Sequence, residues 1–169
     1  MGSNIEPRIH IARAAALLLE SFPQARFSRV FETEPVGAPE APWFLNAAAA
    51  IATDLDPADL KFEVLRPLEA RLGRQRSSNR NAPRTIDLDI AMQGSLVVKD
   101  ITTGLEIPDP QILTTAHIAL PLADLAPEMV HPITGQSLRQ IAASLADGPQ
   151  VRPLAGIDLA RMIHEPHGI

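Results

Sequence analysis

The chain contains no cysteine, no tyrosine and a single tryptophan among its 169 residues. The absence of cysteine excludes disulfides and thiolate metal sites, which fits a cytoplasmic location. No apolar run approaches the ~20 residues that a membrane-spanning helix requires, so we expect no membrane partner. The net charge of −5 argues against a general nucleic-acid binder. A small ligand is therefore favoured.

The length and the order of predicted elements favour one α+β domain. A chain of 169 residues is long enough to bury a sizeable core. We predict a domain over residues 1–148, a C-terminal tail over 149–169, and a monomer.

Basic residues are concentrated in one short stretch. Five of the 15 lysines and arginines fall within fourteen residues: Arg71, Arg74, Arg76, Arg80 and Arg84. Guanidinium groups bind phosphate oxygens through paired hydrogen bonds. Taken alone, an arginine run can equally be a solvated loop.

A pair of acidic residues follows the arginines on a predicted strand over residues 84–92. Alternation places Thr85, Asp87 and Asp89 on one face of this strand. Carboxylates at i and i+2 repel each other unless a cation lies between them, and Mg²⁺ carrying a nucleotide is the commonest such cation. A solvated polar face is the alternative for the acid pair alone. The two features side by side favour phosphoryl transfer.

Both features belong to a longer pattern. It runs Glu69-x-x-x-Gly73-Arg74-x-Arg76, then a loop, then Pro-Arg-Thr-Ile-Asp-Leu-Asp-Ile over residues 83–90. The pattern resembles the 6-hydroxymethyl-7,8-dihydropterin pyrophosphokinases, enzymes of folate biosynthesis. The resemblance extends to Gly2-Ser3-Asn4, to residues 33–46, and to the outline of the chain as far as about Pro127.

The resemblance implies Mg-ATP-dependent transfer of diphosphate to the hydroxymethyl group of the pterin, with AMP as the second product. It implies catalytic roles for Arg74, Arg84, Asp87 and Asp89, the two aspartates being the Mg²⁺ ligands. It implies nucleotide contacts by Glu69, Arg76, Arg80, Arg84 and Ile90. It implies pterin contacts by Thr33, Pro35, Val36, Gly37, Phe44 and Asn46. A flat heterocycle is suited to the aromatic face of Phe44 and the amide of Asn46.

Four positions depart from the family's pattern. Asn81 stands where the family has a tryptophan, Asp109 where it has a phosphate-facing histidine, and Thr115 and His117 where it has an arginine and a phenylalanine. These changes keep two alternatives open. One is a diverged relative that binds nucleotide or pterin without turnover, and the other is the same chemistry on a different pterin.

The expected architecture is a ferredoxin-like α/β sandwich with a mainly antiparallel sheet, as the family's fold implies. Its first strand is expected to be short or missing, since Gly2-Ser3-Asn4 begins the chain. Asn4 is predicted to cap the first helix. A second helix is predicted from an Asp56 cap, with a kink at Pro67 and an end at Gly73. Further strands are predicted at 26–34 and 44–53, and a last helix at 137–146.

Overall fold

The computed structural model describes residues 1–33, 43–76, 82–145 and 151–159, and within them the fold is α+β. The strands are β1 (Gly2–Ser3), β2 (Arg26–Phe27), β3 (Phe31–Thr33), β4 (Phe44–Asn46), β5 (Ala49–Ala50), β6 (Val98–Asp100), β7 (Leu105–Ile107) and β8 (Val151–Pro153). The helices are α1 (Pro7–Ser21), α2 (Pro57–Asp59), α3 (Arg66–Arg71), α4 (Ala116–Leu125) and α5 (Leu138–Ser144). A π-helical segment (Leu60–Leu65) joins α2 to α3, and a 3₁₀ turn (Pro110–Leu113) precedes α4. No helix in these ranges is long and apolar enough to cross a membrane.

The main sheet is antiparallel and has the strand order β1-β4-β3-β8. Each of the two predicted long strands, 26–34 and 44–53, is present as two short pieces. The interruption lies where Ser28 exchanges bonds with Ala48: its amide donates to the Ala48 carbonyl, and its hydroxyl accepts from the Ala48 amide at 2.8 Å. The Ser28 hydroxyl therefore takes the place of a backbone carbonyl in the hydrogen-bond ladder between the two strands.

The first strand is present but has only two residues. In β1, Gly2 pairs with Asn46 and Ser3 pairs with Leu45. A Cβ at Gly2 would come within 3.0 Å of the Asn46 side-chain oxygen, so a glycine allows this close approach. On the side away from β4, the backbone of Gly2 forms an antiparallel bridge with Asp87.

The strand predicted at 84–92 is wrong, because only Asp87 makes a strand-like bridge there. The Asp87 amide and carbonyl bond to Gly2 at 2.8 and 3.0 Å. The backbone of Leu88 points to the opposite side, where two side chains bind it in place of a strand. The Glu69 carboxylate accepts from its amide at 2.8 Å, and the Lys61 ammonium donates to its carbonyl at 2.7 Å.

The predicted Asn4 cap is also wrong. Helix α1 begins at Pro7 after Glu6, whose φ of 41° is left-handed, and no side chain caps it. The Asn4 side chain instead accepts a hydrogen bond from the Arg84 amide at 2.7 Å. Asn4 therefore holds the loop that carries the acid pair.

The second helical region follows the sequence signals closely. The Asp56 side chain accepts from the Asp59 amide at 2.9 Å, which confirms the predicted cap. Pro67 lacks the amide that a regular helix needs at that position, and the turn before it is π-helical. Gly73 ends the helix with a φ of 76°.

Buried apolar residues form two clusters. The larger joins α1, the Leu60–Leu72 region and the core-facing Ile86 and Leu88. The smaller joins Ile112, α4 and α5. Helix α5 begins with the capping box of Ser137 and Gln140. A bidentate ion pair between Arg29 and Asp124 ties α4 to the segment before β3.

Two regions after residue 95 are more ordered than their sequence indicates. Residues 98–107 contain the β6–β7 hairpin, in which Val98 pairs with Ile107. In the C-terminal tail, β8 pairs with β3, and Ile157 and Leu159 lie in the larger apolar cluster.

Candidate functional site

A cavity of about 720 Å³ lies where the predicted site residues meet the C-terminal half of the described chain. Its lining includes Asn46, Arg84, Asp87, Asp89 and Ile90. From the C-terminal half of the described chain, the lining includes Asp109, Gln111 and His117. Five residues that the sequence singled out over a span of 45 positions therefore border one space.

Asp87 is held by two arginines. One guanidinium nitrogen of Arg84 lies 2.5 Å from Oδ2 of Asp87, and a nitrogen of Arg74 lies 4.0 Å from its Oδ1. Arg84 is itself fixed by Asn4, which bonds to its amide and donates to its carbonyl at 3.1 Å. Both arginine side chains are largely buried, at 21% exposure for Arg84 and 13% for Arg74. The pair and its loop are thus preorganised.

Asp89 has a cation that the sequence did not predict. The Lys61 ammonium lies 2.6 Å from Oδ1 of Asp89 and also donates to the Leu88 carbonyl. Partial desolvation would by itself raise the pKa of Asp89, but the Lys61 charge outweighs it and lowers that pKa below its ordinary value. One signal existed in the sequence: Lys61 is one of only two lysines in the chain.

Glu69 is almost fully buried, with 1% of its surface exposed. One carboxylate oxygen accepts from the Leu88 amide, and the other lies 2.5 Å from a guanidinium nitrogen of Arg76. Burial raises the pKa of Glu69, although the bond from Leu88 acts in the opposite direction. Glu69 therefore shapes the site through its neighbours, and a direct nucleotide contact by it stays a prediction.

Arg74 presents an unused donor close to Asp87, which borders the cavity. Nε of Arg74 is buried without a hydrogen-bond partner in the part of the chain that the structure describes. A buried unpaired donor is costly, and an anionic oxygen would satisfy it. The arrangement fits phosphate oxygens arriving next to Arg74 and Arg84.

The donor set also fits Mg²⁺. This ion prefers carboxylate oxygens and often binds through one or two of them, with water and phosphate oxygens completing its shell. Asp87 and Asp89 both border the cavity. No cluster of three or more metal-ligating side chains occurs among the described residues. An ion here would take its remaining ligands from water and substrate.

Two residues predicted for the pterin, Thr33 and Asn46, form a polar pair, and Asn46 borders the cavity. The side-chain amide of Asn46 donates to the Thr33 hydroxyl at 3.0 Å, and both residues are buried. Phe44 lies in the same strand as Asn46 and pairs with Thr33. Pro35, Val36, Gly37 and Arg80 lie outside the described residues, as does Asn81.

The C-terminal residues that line the cavity include an acidic group, Asp109, and a histidine, His117. Burial raises the pKa of Asp109, and the charges of Asp89 and Glu106 add to this effect. Its carboxylate accepts from the Gln111 amide at 2.8 Å. Burial lowers the pKa of His117, which favours the neutral imidazole. Thr115 lies at the start of α4.

A carboxylate pair flanked by arginines at one cavity is the kind of site that phosphoryl-transfer enzymes use. Residues 1–127 match the sequence model of the family 7,8-dihydro-6-hydroxymethylpterin-pyrophosphokinase. The chain belongs to this family, which confirms the resemblance drawn from the motifs.

Curated relatives agree with this membership. The chain is 36% identical to the 2-amino-4-hydroxy-6-hydroxymethyldihydropteridine pyrophosphokinase of Methylorubrum extorquens, over 86% of this chain and 90% of that protein. It is 36% identical to the protein of the same name in Pseudomonas aeruginosa, over 85% of this chain and 88% of the other. It is also 32% identical to the folic acid synthesis protein fol1 of Pneumocystis carinii, of which it spans 20%.

Proposed function

We propose that the protein transfers diphosphate from ATP to 6-hydroxymethyl-7,8-dihydropterin in folate biosynthesis. The hydroxymethyl oxygen forms a bond to the β-phosphorus and loses its proton to solvent. The bond from that phosphorus to the oxygen it shares with the α-phosphorus breaks, and AMP leaves. Family membership and the names of the bacterial relatives support this reaction.

The observation that carries the proposal is the joint placement of Arg84, Asp87 and Asp89 on one cavity. Phosphoryl transfer requires positioning and charge stabilisation more than covalent participation by the protein. Arg84 and Arg74 would bind the phosphate oxygens as charge moves between them. Arg76 and Arg80 would assist, and Ile90 and Glu69 would lie near the nucleoside.

Mg²⁺ belongs to the proposal as the expected cofactor. Asp87 and Asp89 would hold it, and when bound it would neutralise charge on the phosphate oxygens. The chain's own part is to keep these two carboxylates fixed. The Gly2 bridge and the bonds to Leu88 support that role.

The pterin would bind beside Asn46. Its amide and the Thr33 hydroxyl can hydrogen-bond a heterocycle edge, while Phe44 offers a ring face. Pro35, Val36 and Gly37 would close over the ligand from the loop that follows Thr33.

A ferredoxin-like core is proposed for the fold. The elements run β1, α1, β3, β4, the helical region 57–71, and then the Asp87 segment. The bridge from Asp87 to Gly2 gives the spatial order Asp87 segment, β1, β4, β3, all antiparallel. This order supports the ferredoxin-like arrangement. Within it we propose the domain over 1–148 and the tail over 149–169, in a cytoplasmic monomer. Light scattering on a sizing column tests the monomer.

The test of the reaction is AMP formation by the purified, folded protein from Mg-ATP, with and without 6-hydroxymethyl-7,8-dihydropterin. AMP that depends on the pterin supports the proposal. A folded protein that forms none, while the Pseudomonas aeruginosa relative does so in parallel, overturns it. AMP formation with an altered pterin alone would keep the chemistry but change the substrate.

A further inference from the structure

Lys61 contacts the segment that carries Asp87 and Asp89. Neither the motifs nor the proposed reaction requires a lysine there. Only 10% of its side chain is exposed, and among the described residues its ammonium donates to two acceptors, Asp89 Oδ1 and the Leu88 carbonyl. A buried ammonium is stable only when it is paired, so this position is defined rather than incidental. The other lysine, Lys99, is 72% exposed in its side chain and pairs with Glu106 on the β6–β7 hairpin.

The π-helical segment explains how Lys61 reaches the site. An α-helix turns by about 100° per residue, so residues eight apart differ in direction by roughly 80°. One extra residue in the wide turn reduces that difference to roughly 20°. Lys61 and Glu69 therefore face the same side, and together they hold the carbonyl and the amide of Leu88. Leu88 is the residue between the two carboxylates.

The same contact places a positive charge where a divalent ion would bind. The Lys61 ammonium binds Oδ1 of Asp89, whose side chain is 61% exposed and borders the cavity. An ion on this carboxylate would meet the ammonium at close range, and two cations repel strongly in partly desolvated surroundings. Nucleotide phosphates bring negative charge that offsets this repulsion.

We propose that Lys61 is a positioning residue that makes metal binding depend on the nucleotide. It fixes Asp89 in the absence of metal and competes with a divalent ion for that carboxylate. The free protein then binds the ion weakly, and the ion binds tightly only together with the phosphates. This inference rests on the proposed function for the identity of the metal and the nucleotide.

The test is a titration with Mn²⁺, a spectroscopic substitute for Mg²⁺, followed by electron paramagnetic resonance of the free ion. It is done on the wild type, Lys61→Met and Lys99→Met, with and without α,β-methylene-ATP, whose α,β linkage resists cleavage. Lys99→Met is the matched control because it removes the same charge from an ion pair away from the cavity.

We expect Lys61→Met to bind Mn²⁺ about tenfold more tightly than wild type without nucleotide, since a nearby like charge is gone. With the analogue bound, the two should differ by less than about threefold, because the phosphates already offset the ammonium. Lys61→Arg keeps the positive charge and should therefore bind Mn²⁺ with the wild-type affinity. A merely structural role would lower the melting temperature and leave Mn²⁺ affinity unchanged.

Equal Mn²⁺ affinity in wild type and Lys61→Met, or equal tightening in Lys99→Met, would overturn the inference. Should Lys61→Met not fold, Lys61→Gln replaces it, because its amide can still donate to Leu88. The titration measures binding alone, because no pterin is present and no turnover takes place. A protein that forms AMP but fails the titration contradicts the role of Lys61 alone, whereas a protein that forms no AMP contradicts the proposed function.

Discussion

Two groups of residues at the cavity differ in charge. The first group, called the first wall here, includes Arg84, Asp87 and Asp89 together with their partners Arg74 and Lys61, and it contains closely paired charges. The second group, called the second wall, includes Asp109, Gln111 and His117 from the C-terminal half of the described chain. The sequence from 100 to 138 contains neither lysine nor arginine. The second wall therefore offers phosphate no cation from that stretch.

This difference indicates where the chemistry is concentrated. A site that stabilises a moving phosphoryl group needs cations fixed before the substrate arrives. The first wall has such cations in fixed geometry. The second wall has a neutral imidazole and a carboxylate instead. Substitutions on the first wall should therefore reduce turnover, whereas removing the carboxylate from the second wall should improve nucleotide binding.

The largest expected effect comes from Asp89→Ala. Loss of this carboxylate removes a metal ligand and leaves the Lys61 ammonium without its side-chain partner. We expect kcat to fall more than about a thousandfold, beyond the loss of a single hydrogen-bond donor. The rate of AMP formation measures this, and circular dichroism checks the fold. Asp59→Ala, an exposed carboxylate on α2, is the control and should keep the wild-type rate. Undiminished turnover in Asp89→Ala would exclude its role as a metal ligand.

Arg84→Ala should have the next largest effect. Loss of one preorganised donor to the phosphates typically costs about 3 kcal/mol of barrier. We expect kcat/KM to fall by about two orders of magnitude, with Arg84→Lys intermediate because it keeps the charge but loses the paired geometry. Arg139→Ala, which replaces an exposed arginine on α5, serves as the control. A loss smaller than about tenfold would make Arg84 a structural residue only.

The sequence predicted the first wall far better than the second. The arginines, Asp87 and Asp89 lie within one short stretch, so local spacing was enough to bring them together. Lys61 and Asn4 were missed in their actual roles. Lys61 reaches Asp89 across 28 positions through a π turn, and Asn4 reaches Arg84 across 80. Contacts of that range depend on tertiary packing, which no local pattern specifies.

The fold shows the same limit. The caps at Asp56 and Ser137 and the end at Gly73 depend on local backbone chemistry, and they lie where the sequence indicates. The strand predicted at 84–92 depended on alternation alone. The alternation itself is present, since Ile86 and Leu88 are buried whereas Asp89 is exposed. It could not predict that side chains of Glu69 and Lys61 would take the place of a neighbouring strand.

Asp109→Asn tests the second wall, and its effect should be smaller and opposite in sign. An asparagine oxygen can still accept from Gln111, so the 3₁₀ turn should survive. Removing the negative charge should lower the KM for ATP by roughly two- to fivefold, as expected for one partly screened charge.

The effect should also depend on pH. The pKa of Asp109 is raised, so the wild-type residue becomes neutral at higher pH than an ordinary aspartate. The difference in KM should therefore shrink as the pH falls towards that range. A higher KM in Asp109→Asn would remove the contrast between the walls.

Asp124→Asn should have the smallest effect, and it acts on stability. Asp124 on α4 accepts three hydrogen bonds from Arg29, two from the guanidinium at 2.6 and 2.8 Å and one from the backbone amide at 2.8 Å, which link α4 to the segment before β3. Partial desolvation opposes the shift, but the Arg29 bonds lower the pKa of Asp124 below its ordinary 3.8. Because the folded-state pKa is the lower one, the stabilisation is present above pH 3.8 and is lost as the pH falls through the folded-state value.

We expect the Asp124→Asn variant to lose about 1 kcal/mol of unfolding free energy at pH 7, since the arginine partner is well exposed. Urea unfolding at pH 7 and below pH 3 measures the loss, and the two proteins should converge at the acid end. An equal loss at both pH values would mean that the pair acts through packing rather than charge.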